Sequence, residues 1–116
     1  MSRGLDSLSP LERRAAEDFA ARVRRDLGDC VLDIRVFGSR ARGEAREDSD
    51  LDIWVLLEEA DGSIRRTVSD LATDLLLEED LPLVISPRVM SRDQHTQLVA
   101  LERLLPAEIE RDGIPL

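Results

Sequence analysis

Residues 51–57 read LDIWVLL, a run in which Asp52 alone is polar. Successive side chains of a strand point to opposite faces, so a run apolar at both odd and even positions is expected in the middle of a sheet. The rest of the chain must then supply neighbouring strands and covering helices. Ser9-Pro10-Leu11-Glu12 is a capping box with proline at the first helical position, and Leu11, Ala15, Phe19, Val23 and Leu27 follow at helical spacing up to Gly28. Val31, Ile34, Val36 and Phe37 give a β-rich run over residues 30–37 that stops at Gly38-Ser39. Gly43 closes any short helical turn that begins at Ser39.

Beyond the central run, Asp61-Gly62-Ser63 starts a second helix in which Ile64, Val68, Leu71 and Leu75 keep the period until about Glu79. Residues 81–86 read as a third strand, with Pro82 at its start or on a sheet edge. Ser91-Arg92-Asp93-Gln94 is another capping box, opening a helix through Leu98, Leu101 and Leu105 to Pro106. The remainder adds at most one helical turn before Asp112-Gly113. The predicted order is helix, strand, strand, helix, strand, helix. This is an α+β (α/β-like) fold, a small mixed sheet with helices mainly on one face, because three strands cannot bury their apolar residues alone.

With 116 residues, 42% of them hydrophobic, the chain has the size of one compact domain, expected to span residues 1–116. Two Phe, one Trp and no Tyr leave the core to Leu, Val, Ile and Ala. The single Cys30 excludes an internal disulfide and fits a reducing, cytoplasmic setting; it reads as buried filler, since nothing adjacent would activate it. No apolar run approaches the roughly 20 residues of a membrane span, and the N-terminus lacks a signal-peptide pattern. A formal charge of −9 argues against broad nucleic-acid binding. Arg35, Arg40, Arg42 and Arg46 nevertheless concentrate positive charge in one segment, which is either a local site for a small anion or an Arg-rich solvated loop.

The chemistry gathers in the stretch GSRARGEAREDSDLDIWV, which begins at Gly38. Gly38-Ser39 sits where a strand passes into a short helical turn, a place where unpaired backbone N–H groups and the helix terminus suit a phosphate; it also reads as an ordinary turn. Asp50 and Asp52 are two apart on a strand, so they share a face with Cα atoms roughly 7 Å apart and can converge on one hard cation or bridge two. Two Mg²⁺ ions about 4 Å apart stabilise both the attacking and the leaving oxygen in phosphoryl or nucleotidyl transfer. The plainer alternative makes Asp48-Ser49-Asp50 a turn and Asp52 a solvated strand-start residue.

Gly38-Ser39, ten intervening residues and Asp50-Leu51-Asp52 in an apolar strand together resemble the signature of the DNA polymerase beta nucleotidyltransferase superfamily, and are most similar to its minimal members. The resemblance covers residues 31–57 closely, and the closing Ile109-Glu110-Arg111-Asp112-Gly113-Ile114 also resembles the end of small stand-alone members. It implies that Gly38 and Ser39, with Arg40 and Arg42 as phosphate contacts, hold a nucleoside triphosphate, ATP first among the candidates. Asp50 and Asp52 would be the metal ligands and catalytic carboxylates for Mg²⁺. A nucleotidyl group would pass to a hydroxyl acceptor, pyrophosphate leaving. Arg40 and Arg42 read equally as ion-pair partners of Glu44 or Glu47.

Members of the superfamily that turn over carry a third carboxylate on the next strand; residues 81–86 hold no acid, and comparison with relatives puts the vacant position at Leu83. The resemblance therefore also allows a catalytically weak or inactive module acting by complex formation. Minimal members pair with small helical partners of the HEPN class as antitoxin to toxin. The acceptor, the base preference and the oligomeric state are not fixed by the sequence. His95 reads as a surface residue, and Trp54, on the face of Asp50 and Asp52, as core beneath the metal site or, alternatively, as a contact for a base. The last helix reads as core on one side and a homodimer or partner surface on the other.

Overall fold

The computed structural model describes residues 8–38, 50–100 and 109–116. Ser39, Arg40, Arg42, Gly43, Glu44, Arg46, Glu47, Asp48, Ser49, Leu101, Leu105 and Pro106, all invoked above, lie outside the described residues.

Helix α1 spans Pro10–Leu27. Its capping box forms as expected: the Glu12 N–H donates to Ser9 Oγ at 3.1 Å and the Ser9 N–H to Glu12 Oε1 at 2.9 Å. Gly28, at φ +52°, stops the helix in a conformation that costs a residue with a Cβ more than glycine. Ala15, Ala16, Phe19, Ala20 and Val23 form its buried stripe. A single 3₁₀ turn, Gly28–Cys30, leads into strand β1, Val31–Phe37. Strand β2 is Leu51–Leu57, helix α2 is Gly62–Glu78 with Asp61 as its N-cap, strand β3 is Ile85–Ser91, helix α3 is Arg92–Ala100 and strand β4 is Ile114–Pro115.

The strands form one sheet in the order β3-β2-β1-β4. β2 is parallel to β3 and antiparallel to β1, and β4 is antiparallel to β1. The run read as central is thus an inner strand. Leu51, Ile53, Val55 and Leu57 are fully buried with Ile34 and Val36 of β1 in one core cluster, which also takes Phe19 and Val23 of α1 and Val68, Leu71 and Leu75 of α2. Helices α1 and α2 cover this face and are linked by Arg22, which donates to Glu78 at 2.6 Å. Arg65 of α2 is a second tie. Its Nε donates to the Ala60 carbonyl, Nη1 to the Val89 carbonyl and Nη2 to the Gln94 side chain, joining α2 to β3 and α3.

Three differences from the expected layout matter for the site. The third strand is not residues 81–86 but Ile85–Ser91. Asp80 turns the chain at φ 48°, Pro82 has no N–H to give a ladder, and residues 82 and 83 bend; only from Ile85 does the chain run beside β2. Pro87 is tolerated within the strand because β3 is a sheet edge. Second, the Ile114–Pro115 pair adds a fourth strand after the expected helical turn, where Gly113 donates its N–H to the Ile109 carbonyl at 2.8 Å. Third, α3 begins at the expected capping box but reaches the sheet face opposite α1 and α2, where His95 meets Trp54.

Candidate functional site

Strand alternation divides β2 into two sets. The odd residues enter the core; Asp52, Trp54 and Leu56 face the other way, beside Phe37, Arg35 and Asp33 of β1 and Ser86, Arg88 and Met90 of β3. Asp50, exposed, directly precedes β2.

The two halves of the GSRARGEAREDSDLDIWV stretch meet at Gly38. Phe37 is the register partner of Asp52, so the next residue lies at the Asp52 end of the sheet. Gly38 adopts φ +77°, and a Cβ there would stand 2.6 Å from Asp52 Oδ2. Glycine is thus required twice over, by its backbone conformation and by the carboxylate against it. Ser39, the next residue, lies outside the described segment.

Among the described residues no group of three or more His, Cys, Asp or Glu side chains could hold a metal ion. Mg²⁺ is held by one or two carboxylates and completes its shell with phosphate oxygens and water, and Asp52 on β2 with Asp50 directly before the strand could supply them. The donor set present therefore fits a metal that arrives with a triphosphate. It does not amount to an all-protein cage.

Leu83 is not the position beside the aspartates. It precedes β3 and packs, half-buried, against the main core with Leu81. The residue in register with Asp52 is Ser86, and Val84, half exposed, accepts the Leu51 N–H through its carbonyl at 2.8 Å. Neither is an acid, so the vacancy read from the sequence persists at a different place. Reading Val89 and Met90 as strand residues would have moved the register and found Ser86.

Other candidates separate clearly. The Arg35 Nε donates to Asp33 at 2.8 Å, so that guanidinium is engaged on the sheet face. Cys30 is half-buried with Sγ 3.6 Å from the Glu59 carbonyl. His95, read as a surface residue, is half-buried with its ring 5.6 Å from the Trp54 ring. Trp54 is core, as expected, but in a second, smaller cluster with Met90 and Ile109 on the Asp52 face. Beside that cluster lies a cavity of about 250 Å³, with Arg35, Trp54, His95 and Glu110 in its walls, that sequence patterning did not show. A larger cavity of about 460 Å³ between α2, β3 and α3 has Arg65 in its wall, already engaged by Ala60, Val89 and Gln94.

Comparison with known proteins follows the same geometry. A family model described as a nucleotidyltransferase domain matches residues 16–104. No curated protein matches the chain. Among solved structures, a candidate nucleotidyltransferase from Sulfolobus solfataricus superposes with a TM-score of 0.58 at 17% identity, over 99% of this chain and 86% of that one. A toxin-antitoxin structure with AMP-PNP gives a TM-score of 0.54 at 21% identity, over 85% of this chain and 70% of that one. At these identities the likeness concerns the fold. A third structure, of a protein described as a candidate minimal nucleotidyltransferase, is 32% identical over 87% of this chain and 95% of that one, with a TM-score of 0.47.

Proposed function

Because the chain belongs to the nucleotidyltransferase domain family, we propose that it binds a nucleoside triphosphate with Mg²⁺ and transfers the nucleotidyl group to a hydroxyl acceptor. The observation that supports this reading is the close approach of Gly38 to the Asp52 carboxylate, which would bring a phosphate held at Gly38 next to a metal held at Asp52. Gly38 and Ser39 would offer backbone and hydroxyl donors to the phosphates, with Arg40 and Arg42 beside them. Asp50 and Asp52 would hold Mg²⁺, which when bound neutralises charge on the triphosphate and on the oxygens that develop it. The main contribution of the chain is positioning. Gly38 close to Asp52 would fix the distance between phosphate and carboxylate, and the inner strand β2 would fix the direction of the carboxylate. ATP and a partner protein are the choices supported by the toxin-antitoxin neighbour that carries AMP-PNP; a small helical partner of the HEPN class would present the hydroxyl.

A second reading has its own observation. Val84 and Ser86, the residues of the β3 segment nearest the aspartates, are not acids, so no carboxylate from this strand stands ready to take the acceptor proton. On that reading the domain binds Mg-ATP and a partner and acts through the complex. Incubation with α-labelled ATP, Mg²⁺ and the product of a neighbouring gene separates the two. Label on the partner that disappears with Asp52→Asn is the outcome expected of the enzyme; a stable complex that never acquires label is the outcome expected of the module. Failure of Mg-ATP to bind in calorimetry would sink both.

A further inference from the structure

Among the described residues, Leu11, Leu32, Leu77, Val84 and Val99 are the large apolar side chains left exposed. Such residues scattered singly need no explanation, but a contiguous group does. Leu77, 73% exposed, and Val84, 50% exposed, stand on one apolar groove of about 400 Å³ between the end of α2 and the bent segment that precedes β3. Half-buried Leu81 and Leu83 root that segment in the core, and exposed Pro82 completes the groove. Leu81 also lines a smaller hollow of about 120 Å³ with Leu11 of α1, so the apolar surface continues towards that helix. The groove adjoins the candidate site: the Val84 carbonyl accepts the Leu51 N–H at 2.8 Å, and Asp50 directly precedes Leu51.

We propose that this groove docks the protein that carries the acceptor hydroxyl, through a helix with an apolar stripe flanked by lysine or arginine. The proposal rests on the nucleotidyl-transfer reading above, which needs an acceptor beside Asp50 and Asp52. Charge selects the flanks. Glu78 is held by Arg22, whereas Glu79 and Asp80 are exposed beside the groove and in no ion pair among the described residues. A basic partner would complement these acids and the charge of −9 on the chain as a whole. A second copy would not, since a two-fold contact sets the same acidic rim against itself. The backbone selects the helix. An extended partner would need the open edge of β3, but there Pro87 has no N–H, the Val89 carbonyl accepts from Arg65 and the Ser91 N–H donates to Gln94. With that edge closed, docking falls to side chains entering a groove, the way an amphipathic helix binds.

The probe is the purified product of a neighbouring gene, titrated into the full chain by calorimetry. It is expected to bind, with an affinity that falls as salt rises. Leu77→Lys puts a charge into the groove at a side chain too exposed to matter for folding, and should weaken the complex by about 30-fold or more, the loss of one hot spot. Glu79→Lys should weaken it by about tenfold and flatten its salt dependence. Circular dichroism and Mg-ATP affinity stay at wild-type values in both variants. With α-labelled ATP, Leu77→Lys should raise the partner concentration needed for label transfer and leave the saturated rate unchanged. No complex with the wild-type chain, or wild-type affinity in both variants, overturns the proposal. So does a homodimer in sedimentation that Leu77→Lys dissociates. Label transfer that proceeds in both variants as in the wild type removes the docking surface and keeps the transfer reading. A complex weakened by both variants, in a chain that never binds Mg-ATP, keeps the surface and removes that reading.

Discussion

The two faces of one strand divide the labour of this molecule. On the covered face of β2, Leu51, Ile53, Val55 and Leu57 meet the stripes of α1 and α2, and every one of them is fully buried. On the other face, one residue away at each step, stand Asp52 and Trp54, among Asp33, Arg35, Ser86 and Arg88. The difference teaches where precision comes from. The placement of the Asp52 carboxylate is fixed by the packing of Leu51 and Ile53, the residues on either side of it in sequence, which lie on the opposite face.

The sharpest way to break that comparison is to change adjacent residues. Ile53→Ala opens a cavity in the core and should cost about 2–5 kcal/mol of stability in denaturant unfolding. Asp52→Asn should change stability by less than about 1 kcal/mol while lowering Mg-dependent ATP affinity by at least about 100-fold in calorimetry. Should the two variants lose stability and binding in the same proportion, the faces are not functionally separate.

Next in size is Gly38→Ala. The new Cβ would collide with Asp52 Oδ2 and hold an unfavourable positive φ, so a loss of about 1–2 kcal/mol is expected together with about tenfold weaker Mg-ATP. Asp52→Asn combined with Gly38→Ala should then show less than additive loss of nucleotide affinity, because both act on one contact.

Adding an acid tests the register of β3. Aspartate at Val84 or Ser86 should raise label transfer by about tenfold, short of the full 10²–10⁴ of an optimised general base. Aspartate at Leu83 should instead destabilise the protein without raising the rate, since that side chain packs against the core. A gain at Leu83 alone would return the vacancy to where sequence comparison put it. The smallest effect expected is that of Ser9→Ala, which removes half of the α1 capping box and should cost about 1 kcal/mol in thermal unfolding with nucleotide affinity untouched.

What the sequence made legible follows from the range of the signals. The α1 and α3 boxes, the Asp61 cap and the apolar β2 are local patterns, and each element begins where its pattern does. The Asp52 face was legible too, because alternation needs only the sequence. The third strand was misplaced because Pro82 and Pro87 punctuate residues whose state depends on running beside β2, a contact with no local mark. β4 has two residues, too few for any period. The Trp54 cavity needs β1, β2, α3 and residues 109–112 together, a convergence from four stretches of chain. Ser39, Arg40 and Arg42 lie outside the described residues, so of the expected phosphate contacts Gly38 alone is described.

Strand β4 carries a consequence for synthesis. β1 pairs with β2 soon after both have been made, yet its other edge waits for Ile114 and Pro115, which pair with Val36 and Arg35. While a ribosome adds the intervening residues, that edge presents open N–H and C=O groups to any extended segment nearby. Until Ile114 and Pro115 have been added, a nascent chain of this kind is most prone to pairing the Arg35–Val36 stretch of β1 with the wrong strand.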